Sequence, residues 1–136
     1  MTPASTPATR SAEHTIALRV ATLPRDTNHY GTIFGGVILS YIDQVGFVEA
    51  RKHGRHRWVT AAVDRVEFKA PVLMGDIVTL YSSTSRLGTK SVTVEVIVEA
   101  ERYTSGEVVQ VTTATMTMVS VDAAGKPIAF REPSTA

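Results

Sequence analysis

Asp43 is the residue in this 136-residue chain whose setting most invites chemistry. It lies in Val37–Lys52 (VILSYIDQVGFVEARK), a stretch too long and too evenly apolar for one strand. That pattern predicts a helix, ended by His53-Gly54, where the glycine suits the left-handed position after a helix. From Val37 to Val48 the segment carries one charge, Asp43, among apolar residues spread around the whole circumference. A helix apolar all round is a buried one. A carboxylate in such a helix costs free energy unless it is paired, hydrogen-bonded or used. Asp43 therefore either meets solvent or a salt-bridge partner at a gap in the packing, or serves as a general base or nucleophile.

Gly35-Gly36 stands where this helix should begin. The first N–H groups of a helix have no partner within it, and they share the positive end of its dipole. Glycine lets a ligand come close to that backbone. A carbonyl lodged there would have its developing oxyanion stabilised. The competing reading of the glycine pair is helix packing or a tight turn. Asp43 is eight residues beyond Gly35, about 12 Å along the axis at 1.5 Å per residue. That is far for joint action on one carbonyl within a subunit, but the two features can meet across a two-fold axis between subunits.

The other polar residues make weaker candidates. Asp76 reads as a plain turn position after Met74-Gly75, and the strand phase of Asp64 and Glu67 is open. His14, His53 and His56 read as surface residues, and His29 is the one histidine in a plausible site loop. No metal-ligand spacing, phosphate loop or nucleophile elbow is present. With no cysteine, disulfides and a cysteine nucleophile are excluded, and a reducing cytoplasm is the expected location. Net charge is +1, which argues against a nucleic-acid partner. The basic cluster Arg51–Arg57 is either a solvated helix end or a phosphate contact. No apolar run is long enough to span a bilayer, and Met1–Glu13 lacks the apolar core of a secretory signal.

The elements that must position these residues are mostly strands. His14–Ala21 alternates as a first strand, and a loop of turn formers, Leu23–Gly31, leads towards the helix. Four strands follow the helix: Trp58–Lys69, Asp76–Arg86, Lys90–Glu101 and Val108–Val121. In the third of these Val92, Val94, Val96 and Val98 share one face. Short turns between them predict antiparallel pairing. One helix on one antiparallel sheet is an α+β layer. Residues 14–130 form the expected single domain, with 1–13 and 131–136 as loose tails. The apolar side of the helix turned away from the sheet then calls for cover from a second subunit.

Pro24–Gly36 (PRDTNHYGTIFGG), continuing through Ser40-Tyr41-Ile42-Asp43, resembles the signature of hotdog-fold acyl-CoA thioesterases, the acyl-CoA hydrolase branch with broad-specificity bacterial and animal cytosolic members. Further matches are Val59-Thr60, Phe68–Pro71, Gly75-Asp76 and Gly88–Ser91. The resemblance implies a long central helix wrapped by a curved antiparallel five-stranded sheet, and dimers with two sites at their interface, often built into hexamers. It makes Asp43 the catalytic carboxylate, Asn28 the loop amide that assists it, and Gly35, with Gly36, the carbonyl-polarising N–H. Thr60 is implied as a residue orienting water. Lys69, Gly88, Thr89, Lys90 and Ser91 are implied as contacts to the CoA nucleotide, with ordinary surface lysine as the competing reading of Lys69 and Lys90. The implied reaction is hydrolysis of acyl-CoA to free acid and CoA, with no cofactor beyond the CoA carried by the substrate. The rival classes are a hotdog enoyl-CoA hydratase, which needs a histidine partner for the carboxylate, and a non-catalytic acyl-CoA-binding module.

Overall fold

Period-two alternation is most regular in the strand that ends up central. Val92, Val94, Val96 and Val98 are at most 1% exposed and point to one side of the sheet. Each such burial contributes roughly 1.5–3 kcal/mol. The computed structural model describes residues 8, 10, 11 and 13–131. The remainder of the expected tails, 1–7 and 132–136 with residues 9 and 12, lies outside the described residues.

The elements are β1 (Thr15–Ala21), α1 (Gly35–Arg51), β2 (Arg57–Phe68), β3 (Ile77–Leu87), β4 (Ser91–Glu101) and β5 (Val108–Val121). A short 3-10 turn, Pro24–Asp26, opens the loop before the helix. The five strands form one antiparallel sheet in the order β1-β3-β4-β5-β2. Adjacent hairpins β3–β4 and β4–β5 pair as their short turns require. β2 and β3 do not pair: β2 lies at the far edge beside β5, and residues 69–76 carry the chain across. In β2 a bulge between Asp64 and Glu67 puts Arg65 at φ 50°, and all three of these side chains are exposed.

α1 lies on the face of the sheet that the four valines supply. Ile38, Ile42, Val45, Gly46, Glu49 and Ala50 form its buried stripe. The helix sits so close to β5 that a Cβ on Gly46 would fall 2.4 Å from Met116 Cε. The helix is not buried all round in one protomer. Leu39, Phe47 and Val48 are exposed, as are Val59 and Val63 on the neighbouring edge strand. This apolar strip is the face for which the sequence predicts cover by a second subunit.

The stripe also shows which helix carboxylate is buried. It is Glu49, 4% exposed, while Asp43 is turned outward. Glu49 accepts hydrogen bonds from Ser82 Oγ (2.7 Å), Thr84 Oγ1 (2.8 Å) and Lys52 Nζ (2.8 Å). Burial raises its pKa, but those hydrogen bonds and the Lys52 charge outweigh it and hold the carboxyl below the usual range. Thr84 gives its proton to Glu49, so His53 Nε2, 2.7 Å from Thr84 Oγ1, is the donor to that hydroxyl.

Two other polar residues are buried where the sequence suggests surface. Asp76 is no plain turn residue: its carboxylate is 1% exposed, accepts from Leu73 N–H at 2.8 Å and pairs with Arg102 Nη1 at 2.6 Å. His56 is buried beside Trp58 and donates from Nε2 to the carbonyl of Phe130, while its Nδ1 has no hydrogen-bond partner among the described residues. The cause is the docking of the C-terminal segment, where Ile128 N–H reaches Ser120 O and Phe130 N–H reaches Thr89 O.

Candidate active site

Asp43 stands on the outward side of α1 at the middle of the helix. Its Oδ1 accepts a 2.5 Å hydrogen bond from Thr60 Oγ1 on β2, and Oδ2 makes no hydrogen bond among the described residues. The pair lies on the wall of an open cleft of about 610 Å³, whose other sides are Phe47, Val48, Trp58, Val59 and Met118. A carboxylate with one oxygen fixed and one open, at the edge of an apolar cleft, can take a proton from water or attack a carbonyl.

The start of α1 faces a different cavity, about 340 Å³, lined by Thr32, Gly35, Ile38, Phe68, Lys69 and Thr112. The N–H groups of Gly35 and Gly36 make no hydrogen bond among the described residues, whereas Val37 N–H is satisfied by Phe34 O at 3.0 Å. The glycines are not demanded by packing inside the protomer. A Cβ on Gly35 would touch the Phe68 ring at an ordinary 3.5 Å, and one on Gly36 would meet nothing within 4 Å. Glycine in a helix costs about 1 kcal/mol relative to alanine. Two in succession, unexplained by their own subunit, suit close approach by something outside it.

Asn28 builds the loop that leads to this cavity. Its Oδ1 accepts from Tyr30 N–H (2.9 Å) and Thr32 N–H (3.2 Å), and Nδ2 donates to Thr32 Oγ1 at 2.7 Å. One Nδ2 hydrogen remains for another acceptor. His29 makes no hydrogen bond or ion pair with Asp43 among the described residues; its ring centre lies 3.9 Å from that of Tyr30, and both residues are exposed.

The two groups of expected nucleotide contacts lie apart within one protomer. Gly88–Ser91 is the tight β3–β4 turn, closed by Gly88 N–H to Ser91 O at 2.8 Å. Ser91 pairs with Val119, and Val119 with Val59, so this turn is at the Thr60 end of the sheet. Lys69 follows Phe68, which pairs with Thr112 and through it with Val98. Ser91 to Val98 is seven residues, about 23 Å of strand. One protomer thus joins Asp43 with Thr60, and Gly35 with Lys69 and the Asn28 loop, but leaves the two groups separate.

Two further residues of the cleft, Trp58 and Met118, escaped the sequence reading. The signal for Met118 is its phase on β5, shared with Met116. Among the described residues there is no group of side chains able to hold a metal ion, and no helix is long and apolar enough to cross a membrane.

A single long helix on a five-stranded antiparallel sheet of this order defines the hotdog fold. The family model of the Thioesterase superfamily matches residues 30–107, more than half of the chain, and the chain belongs to that superfamily. It is 37% identical over 124 residues to an uncharacterized acyl-CoA thioester hydrolase, YkhA, of Bacillus subtilis, covering 90% of this chain and 72% of that protein. It is 36% identical over 118 residues to the acyl-CoA thioester hydrolase YciA of Escherichia coli, covering 85% and 89%. Among solved structures, a hexameric hotdog fold thioesterase of Campylobacter jejuni superposes with a TM-score of 0.82 at 41% identity, covering 88% of this chain and 92% of that one.

Proposed function

We propose that this protein hydrolyses acyl-CoA thioesters to a free acid and CoA, at sites shared between two copies of the chain. The observation that carries the reading is Asp43: an open carboxylate, steadied by Thr60, on the wall of an apolar cleft large enough for an acyl chain. The relatives named as acyl-CoA thioester hydrolases support the substrate class, and the hexameric neighbour supports an assembly beyond the monomer.

The chemistry follows from the parts. The thioester carbonyl oxygen receives the Gly35 N–H, with Gly36 next to it, and charge growing on that oxygen is met by the positive end of α1. Asp43 from the facing subunit either takes a proton from water as that water attacks, or attacks the carbonyl itself and is freed by water in a second step. Thr60 holds Oδ1 so that Oδ2 points into the cleft. Asn28 offers its remaining Nδ2 hydrogen to the water or to the carboxylate. The carbon–sulfur bond breaks with the electron pair on sulfur. A thiol of pKa about 8.5 leaves as thiolate or takes one proton, so no strong acid is needed. CoA arrives as part of the substrate, and the steps ask for no resident cofactor. Lys69 and the Gly88–Ser91 turn, separated by about 23 Å along the strand direction in one protomer, come together on one nucleotide when the turn belongs to one subunit and the lysine to another. We assign the protein to the cytoplasm, in keeping with its lack of cysteine.

Free-thiol release from acyl-CoAs of two to sixteen carbons tests the reading. Wild type should release thiol, and Asp43→Asn should release little while melting as wild type does. Retained turnover in Asp43→Asn would remove Asp43 from the mechanism.

A further inference from the structure

The segment before β1 has no part in the steps above, yet its contacts lead towards the site. Ala8 clasps the Gln110 side chain on β5: Ala8 N–H donates to Oε1 at 2.9 Å, and Nε2 donates to Ala8 O at 2.9 Å. Arg10 Nε donates to Glu99 Oε2 at 3.0 Å, and its guanidinium carbon lies 4.3 Å from the Tyr81 ring centre. Ser11 N–H donates to His14 Nδ1 at 3.0 Å, which makes Nε2 the protonated nitrogen, 3.2 Å from Ser83 Oγ. Gln110 and Glu99 are register partners on β5 and β4, and Tyr81 and Ser83 lie on β3. The described residues from Ala8 to His14 therefore strap three adjacent strands, about 10 Å of sheet.

The strap ends on a side chain that has a second partner. Lys69 Nζ donates to the same Gln110 Oε1 at 3.0 Å. An ammonium and a backbone N–H can only donate, so the amide is oriented with its oxygen towards both and its NH₂ towards Ala8 O. Lys69 lines the cavity at the start of α1 together with Gly35. Gln110 thus stands between the strap and the substrate end of the fold.

We propose that Gln110, held in place by Ala8, is a positioning residue that aims the Lys69 ammonium at the phosphates of the CoA nucleotide. The inference rests on the thioesterase reading and on Lys69 as a nucleotide contact. An amide oxygen suits the task because it orients the ammonium without neutralising it. A carboxylate in its place would compete with phosphate for the same cation.

The test compares one acyl group carried on CoA and on pantetheine, which offers the same thioester without nucleotide phosphates. Gln110→Leu should raise KM for the CoA ester about fivefold, the worth of one ordinary hydrogen bond, and keep kcat. KM for the pantetheine ester should stay at the wild-type value. Gln110→Glu should raise the CoA KM further. Arg10→Ala, which loosens the strap away from the cavity, should move the CoA KM in the same direction by less. Combined with Gln110→Leu it should add nothing, because the two act in series. An unchanged ratio of the two KM values in Gln110→Leu, or an independent effect of Arg10→Ala on top of it, overturns the inference while Asp43-dependent hydrolysis stands. Hydrolysis of neither ester by wild type defeats the thioesterase reading and this inference with it.

Discussion

Replacing Glu49 by Gln should destabilise the protein by about 2 kcal/mol at pH 7, and the loss should shrink in acid. The carboxylate is 4% exposed and receives two hydroxyls, Ser82 (fully buried) and Thr84, as well as Lys52. Lys52 is nearly half exposed, so its ion pair adds little. Hydrogen bonds to a charged group contribute roughly 1.5–3 kcal/mol each, and the amide can accept one of the two hydroxyls well. The loss is then about that of one charged hydrogen bond. At this chain length that corresponds to about 4–8 °C in Tm. The hydrogen bonds hold the folded-state pKa below the ordinary value of 4.5, so the stabilisation is complete above that value and disappears as pH falls through the lower folded value. Urea melts of wild type and Glu49→Gln, at equal protomer concentration across pH 7 to 3, measure both effects. A difference under about 0.5 kcal/mol at pH 7, or one that does not narrow below the ordinary carboxylate pKa, would refute the reasoning.

Asp76→Ala leaves the Arg102 guanidinium without its carboxylate and the Leu73 N–H without its cap, and should cost about 3–5 kcal/mol in the same urea melts. Asp76→Asn should cost less, because the amide oxygen still caps Leu73. Thr60→Val frees Asp43 Oδ1 and should lower kcat about tenfold with KM nearly unchanged, while Thr60→Ser restores it; steady-state kinetics on one acyl-CoA reads both.

Local pattern made much of the fold legible. β4 follows from four alternating valines, β5 runs over the expected Val108–Val121, and α1 differs only at its ends, starting at Gly35 and stopping at Arg51. The order of strands was not legible, because the seven-residue link before Asp76 reads as a turn and in fact carries the chain to a non-neighbouring strand. The buried carboxylate was open to the same periodicity: Glu49 is seven residues after Ile42 and shares its stripe, whereas Asp43, one step from Ile42, points elsewhere. His56 and Asp76 were out of reach, since their burial depends on Phe130 and Arg102, distant in sequence. Of the candidate site, the sequence places Asp43 eight residues beyond the glycine pair that opens its own helix, too far for joint action within one subunit, and in the protomer Gly35 and Asp43 line different cavities.

The central claim, that Asp43 of one subunit works with the Asn28 loop and Gly35 of another, is tested most directly by mixing two dead variants. Asp43→Asn and Asn28→Ala protomers, each expected to lose turnover when assayed alone, are unfolded together, refolded and assayed for thiol release. In a randomly paired dimer, half of the dimers are mixed and each mixed dimer holds one intact site, so about a quarter of wild-type activity should return. A site contained within one protomer would return none, and that result would contradict the account.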